Sequence, residues 1–203
     1  ICWNLFTWYF GLPSSSSHGL IGGLVGAGIA KAGWGILIWN GLTKVIVAIV
    51  LSPVLGLLIG LLLMMVTNHL VRNVASQKVD KWSRRLQFVA GAALSLGHGG
   101  NDAQKTMGII AILLFSSGLL NGHFYIPFWV VISCNFVMGL GTLSGGWRII
   151  HTMGKKITNL TPLSGGCAAT GAAVTLFAAT DLGIPVSTTH TVTGAIIGVG
   201  THK

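Results

Sequence analysis

Gly97-His98-Gly99-Gly100-Asn101-Asp102-Ala103-Gln104-Lys105-Thr106 is the stretch on which the reading of this chain turns. It sets an acid, a base, two amides and three glycines inside a segment, 86–120, that is otherwise apolar enough to lie in a bilayer. Ionisable side chains at membrane depth are costly, and they mark substrate or ion pathways. The chain has 3 acidic residues among 203, so an unpaired carboxylate at Asp102 would be a poor structural choice. A functional site is the better reading.

Working outward, the composition agrees with that setting. Hydrophobic residues make up 52% and charged residues 7%, with 30 glycines and a mean hydropathy of +0.78. These values exclude an ordinary soluble domain and predict an all-α polytopic membrane protein. A formal charge of +9 could suggest nucleic acid, but eight of the twelve Lys and Arg fall in two short segments. Arg72, Lys78, Lys81, Arg84 and Arg85 form one, and Arg148, Lys155 and Lys156 the other. That is the positive-inside pattern, which puts both segments on the cytoplasmic side as loops and removes nucleic acid as a partner. Cys2, Cys134 and Cys167 lie in apolar stretches without metal-ligand spacing and read as core thiols.

Three units are expected along the chain. Residues 1–71 hold a helical hairpin and a long transmembrane helix, 72–86 a basic cytoplasmic loop, and 87–203 the Asn-Asp helix, another span and a second hairpin. The first hairpin has its tip at Gly11-Leu12-Pro13-Ser14-Ser15-Ser16-Ser17-His18, where Gly and Pro interrupt the helix and four hydroxyls follow. Non-helical backbone at membrane depth is tolerated only against protein or a water-filled cavity. A helix over 41–71 has a charge-free core at 45–66, with Pro53 and Gly56 kinking it without ending it. The Asn-Asp segment is expected to break near Gly97 to Gly100, and 127–146 supplies another span. Residues 163–180 are apolar and small, suited to close helix packing in lipid. They lead into Asp181-Leu182-Gly183-Ile184-Pro185-Val186-Ser187-Thr188-Thr189-His190.

The second tip repeats the first at a constant offset of 172 residues. Gly11, Pro13, Ser15, His18, Gly22, Gly26 and Gly28 meet Gly183, Pro185, Ser187, His190, Gly194, Gly198 and Gly200, while Ser16 and Ser17 meet Thr188 and Thr189. Three crossings between tips that stop within the membrane (41–71, 87–120 and 127–146) make the second copy inverted. Inverted repeats with helices broken near the midplane are the layout of secondary transporters. The chain opens on Ile1 without a basic leader, and its last Gly-rich run is too short for a span of about 20 residues. A portion of a longer, transporter-sized protein is expected.

Taken together, the segment 97–105 and the paired tips at 11–18 and 183–190 resemble the inorganic phosphate transporter (PiT) family, particularly its bacterial members. The resemblance covers essentially the whole chain. It implies cation-coupled phosphate uptake across a cell membrane, the bacterial inner membrane, by a multi-pass protein with an Asn-Asp motif in each half. The substrate is then inorganic phosphate, free or as a metal-phosphate complex, and a homodimer is left open. Two departures stand out: the first-half Asn-Asp motif is not in this stretch and is expected before Ile1, and Lys105 stands where many relatives have a second Asn.

The residues support similar chemistry without the family. An anion needs donors, which Ser15, Ser16, Ser17, Ser187, Thr188, Thr189, Asn101 and Gln104 offer, together with the free N–H groups of the broken helix ends. Asp102, with Asn101 and Lys105, is assigned to the coupling cation. In a helix Lys105 reaches Asp102 three residues back, and a tethered ammonium there favours protons over sodium. No cofactor, metal cluster or nucleophile-base set is expected, so the chain is not read as an enzyme. Residues 99–106 mimic a P-loop but carry Gln104 in place of its last Gly. Alternatives stay open: His18 and His190 as satisfied interior side chains, the hydroxyls as helix caps, another tetrahedral oxyanion such as sulfate, or an anion channel. Ser52 and Ser133, outside the repeat, read as bystanders.

Overall fold

The structure is a computed structural model that describes residues 1–184 and 186–202; Pro185, the partner of Pro13 in the repeat, lies outside the described residues. The chain folds as α1 Cys2–Phe10, α2 Ser16–Ala32, α3 Trp39–Val71, α4 Ser76–Ser116, α5 Phe128–Ser144, α6 Trp147–His151, α7 Pro162–Asp181 and α8 Thr188–Gly200. A 3₁₀ turn follows α2 at Trp34–Ile36, and a π-helical turn extends α6 through Thr152–Ile157. No strand occurs among the described residues, as the all-α expectation requires.

Two helices are long and apolar enough to cross a membrane, α3 and α7. The pair α5 and α6 with its π turn, bent by 62°, counts as a third if taken as one span. Pro53 stays inside a single α3 helix, as expected. The core lies where α3, α7 and α8 meet, with Met64, Cys167, Ala168, Ala172, Ala195, Ile196 and Val199 buried together. Small residues make that approach possible. A Cβ on Gly56 would overlap the Thr191 carbonyl, one on Gly194 the Pro53 carbonyl, and one on Gly198 the Leu57 carbonyl. The backbones of α3 and α8 therefore touch, the packing that small-x-x-x-small spacing allows in lipid.

Four expectations change. First, α4 is unbroken through Gly97 to Gly100. A helical glycine costs about 1 kcal/mol relative to Ala, whereas opening the ladder in lipid strands N–H and C=O groups at several kcal/mol each, so continuity wins. Second, the basic segment 72–86 is not a loop beyond residue 75, because α4 begins at Ser76. At 1.5 Å per residue α4 is about 60 Å long, twice a hydrocarbon core of about 30 Å, which leaves its basic first turns room outside. With its polar motif at mid-helix, α4 is not among the helices apolar enough to cross on their own. Third, Arg148, Lys155 and Lys156 lie in α6 and its π turn rather than in a loop. Arg148 folds back onto the first hairpin, its guanidinium 4.7 Å from the Tyr9 ring centroid and donating to the Tyr9 carbonyl. Fourth, α7, read as a hairpin arm, is long enough to cross alone.

Candidate functional site

Each tip is built the same way. Gly11 and Gly183 take positive φ (67° and 65°) as the helical chain turns away. A serine then caps the next helix: Ser15 Oγ accepts from the His18 N–H and Ser187 Oγ from the His190 N–H, both at 3.3 Å. Both serines are buried. The capping alternative thus holds for one hydroxyl per tip.

A second hydroxyl from each tip goes to Asp102. Ser17 donates to Oδ1 at 3.4 Å and Thr188 to Oδ2 at 3.1 Å. From α4 itself, Lys105 Nζ lies 3.1 Å from Oδ1 and His98 Nε2 3.3 Å from Oδ2. The carboxylate, 10% exposed, therefore has four partners, about as many as its lone pairs accommodate. The Lys105 ammonium completes the cluster. Besides Asp102 it donates to Ser17 Oγ at 3.0 Å and to the Val186 carbonyl at 3.3 Å. One cation thereby binds oxygens from α4, the first tip and the second tip.

The remaining expected residues divide. Ser16 and Gln104 are exposed and Thr189 is half-buried, and none of the three makes a side-chain hydrogen bond among the described residues. Gln104 follows Asp102 by two residues, so it leaves the helix on nearly the opposite face and stays out of the cluster. Asn101 is half-buried with its Nδ2 enclosed and unpartnered. Under the repeat offset, Ser16 corresponds to Thr188 and Ser17 to Thr189. The two unengaged hydroxyls are therefore the repeat images of the two that hold Asp102.

Three contributors escaped the sequence reading. His98 sits four residues before Asp102, a spacing that shares a helix face and could have revealed it. The Val186 carbonyl carries no side-chain signal. Ser52, read as a bystander, is fully buried and accepts from the Ser187 N–H at 3.2 Å while its hydroxyl returns to the Ala48 carbonyl. It pins the second tip to α3. Ser133 does remain apart, bonded to its own helix at Trp129. The tip histidines meet, with ring centroids 5.2 Å apart at 38°; each Nδ1 is buried without a protein partner among the described residues. A cleft of ≈ 420 Å³ beside His98, between α4 and α5, is lined by Ser95, Gly99, Asn135 and Thr142 among others.

Comparison with known proteins agrees with this architecture. The chain is 63% identical, over its whole length, to a protein of Rhizobium meliloti named a probable low-affinity inorganic phosphate transporter, and covers 61% of it. It is 46% identical to a protein of the same name from Bacillus subtilis, covering 98% of this chain and 60% of the relative. The chain thus spans about three fifths of the length of these curated relatives. A solved structure titled the sodium-dependent phosphate transporter shares the fold, with a TM-score of 0.81 at 24% identity over 99% of this chain and 67% of that one. The phosphate transporter family matches residues 1–203, and the chain belongs to that family.

Proposed function

We infer that the full-length protein is a secondary active transporter that takes up inorganic phosphate together with a cation, protons in preference to sodium. The observation that carries this reading is the Lys105 ammonium, held by Asp102, Ser17 and the Val186 carbonyl. A tethered positive charge fills the place beside Asp102 that a free cation would need, which leaves the proton as the mobile partner. The substrate follows from the donors left over. Ser16 and Thr189 are uncommitted, one on each tip, at the starts of α2 and α8, where free N–H groups and the helix dipole favour an anion. Names given to the relatives support phosphate over other oxyanions.

Two hairpins related by an inverted repeat, each gating one side, supply alternating access. Such a protein works as a multi-pass component of the bacterial cell membrane. Uptake of labelled phosphate by the full-length protein, competed with arsenate and sulfate, tests the assignment. Competition by arsenate and not sulfate is expected, and preferential competition by sulfate contradicts it. Repeating the assay with and without divalent cations separates free phosphate from a metal-phosphate complex.

A further inference from the structure

Lys105 and Asp102 form the obvious place for a coupling proton, and their hydrogen bonds argue against it. All three N–H bonds of the ammonium are in use, on Ser17 Oγ, Asp102 Oδ1 and the Val186 carbonyl; an amine that had lost a proton would leave one oxygen without its donor. Asp102 accepts from Ser17, Thr188 and Lys105, with His98 Nε2 3.3 Å from its Oδ2, so protonating it would remove the charge that holds the Lys105 ammonium. The pair is a closed, neutral unit that holds both tips to α4.

His18 and His190 are placed differently. They occupy equivalent positions of the two tips, their rings meet at 5.2 Å, and each has a buried Nδ1 without a protein partner among the described residues. Imidazole is the side chain whose charge ordinarily changes near neutral pH. The contact lies across the seam between the hairpins, the seam that must open if the tips gate opposite sides. Charged and titratable groups on the elements packed against the tips are Asp102, Lys105 and His98 of α4, Arg148 of α6 beside Gly11 of the first tip, Lys44 of α3 across a cleft from Gly183 and Ile184 of the second, and the exposed Asp181 at the end of α7; Ser52 of α3 is the uncharged group bonded to the second tip.

We propose that the His18–His190 pair is the binding site of the transported proton. The proposal rests on the proton-coupled reading above. A proton from the outer aqueous phase adds to an imidazole nitrogen of the pair, and the same proton leaves to the inner phase once the seam has reopened on that side. While bound it places a second positive charge beside Lys105, which phosphate between the tips neutralises. Each ligand therefore tightens the binding of the other by the same factor, the reciprocity that symport requires.

The test uses the full-length protein in sodium-free proteoliposomes, with His18→Gln and His190→Gln singly and together, and His98→Gln in parallel. Phosphate-phosphate exchange is compared with accumulation driven by a pH gradient of about one unit, equivalent to a tenfold concentration ratio. At saturating phosphate the double variant should still exchange, with a KM that is raised and no longer falls as the pH is lowered, while its accumulation ratio falls from about ten to about one. Undiminished accumulation in the double variant overturns the proposal. Loss of exchange in a folded double variant also overturns it and assigns the rings to phosphate binding. Loss of accumulation in His98→Gln alone moves the proton to His98. If the double variant does not fold, the singles and the unaltered protein decide: phosphate added to unaltered protein in weakly buffered detergent near neutral pH should draw protons from solution, and no proton uptake overturns the assignment. Failure of the unaltered protein to accumulate phosphate without sodium defeats the proton-coupled reading itself. Equal accumulation by unaltered and double-variant protein defeats only the histidine assignment.

Discussion

The two hairpins share a sequence pattern and differ in packing. Gly194 and Gly198 of α8 lie against the backbone of α3, where any Cβ would collide, while their repeat images Gly22 and Gly26 of α2 have open space above them. In the second hairpin the tip residues Val186, Ser187 and Thr188 are all buried; of their repeat images Ser14, Ser15 and Ser16, only Ser15 is. Yet both tips cap their helices with serine, give one hydroxyl to Asp102 and contribute one histidine to the central pair. Within this stretch, which spans about three fifths of the length of its curated relatives, the packing of the two tips differs and their chemistry is the same. Glycine spacing records a capacity for close approach that is realised where a partner helix is supplied, whereas the tip chemistry is realised in both places because α4 serves both.

The largest expected effect breaks the packing half of this comparison. Gly194→Leu should cost about 3 kcal/mol or more and abolish recovery of folded protein, since its neighbour is the Pro53 backbone; Gly22→Leu should change stability by no more than about 0.5 kcal/mol. Heated samples of this chain run on size exclusion in detergent would show it, and equal losses would mean that the two arms are packed alike. Next comes Asp102→Asn, which leaves Lys105 without its counter-charge. Charged hydrogen bonds are worth about 1.5–3 kcal/mol, so concentrative uptake should fall at least about tenfold with the protein still in the membrane. Normal accumulation would remove Asp102 from coupling.

A smaller effect separates the hydroxyls. Ser16→Ala and Thr189→Ala should each raise the KM for phosphate by up to about tenfold, one hydrogen bond of about 1 kcal/mol apiece, while Ser17→Ala and Thr188→Ala should instead lower the accumulation ratio. Identical phenotypes for all four would erase the distinction between free and committed hydroxyls. The smallest effect lies behind the second tip. Ser52→Ala should destabilise by about 1 kcal/mol through the orphaned Ser187 N–H, and Ser133→Ala should be neutral; a neutral Ser52→Ala would mean that the tip stands without its support on α3.

Much of this arrangement is legible in the sequence. Asp102 and Lys105 meet because residues three apart share a helix face, and the tips announce themselves by Gly, Pro and clustered hydroxyls within apolar runs. Other features are hidden for physical reasons. Gly97 to Gly100 look like a break, because their spacing carries no trace of the backbone desolvation that keeps α4 continuous. The helices over 76–86 and 147–157 are masked by their charge, which a sequence reader takes for loop. Ser52 is one hydroxyl in an apolar helix, and the Val186 carbonyl belongs to a backbone that any residue would supply. The pairing of Ser17 with Thr188 crosses the repeat register, so the repeat alone would have matched the wrong partners.

The central claim is that the Lys105 ammonium stands in for a coupling cation. It is tested most directly by labelled phosphate uptake into proteoliposomes holding the full-length protein, with an inward pH gradient and no sodium, beside the Lys105→Asn variant. The unaltered protein should concentrate phosphate, and the variant should do so only when sodium is added. Strict dependence of the unaltered protein on sodium would contradict the account.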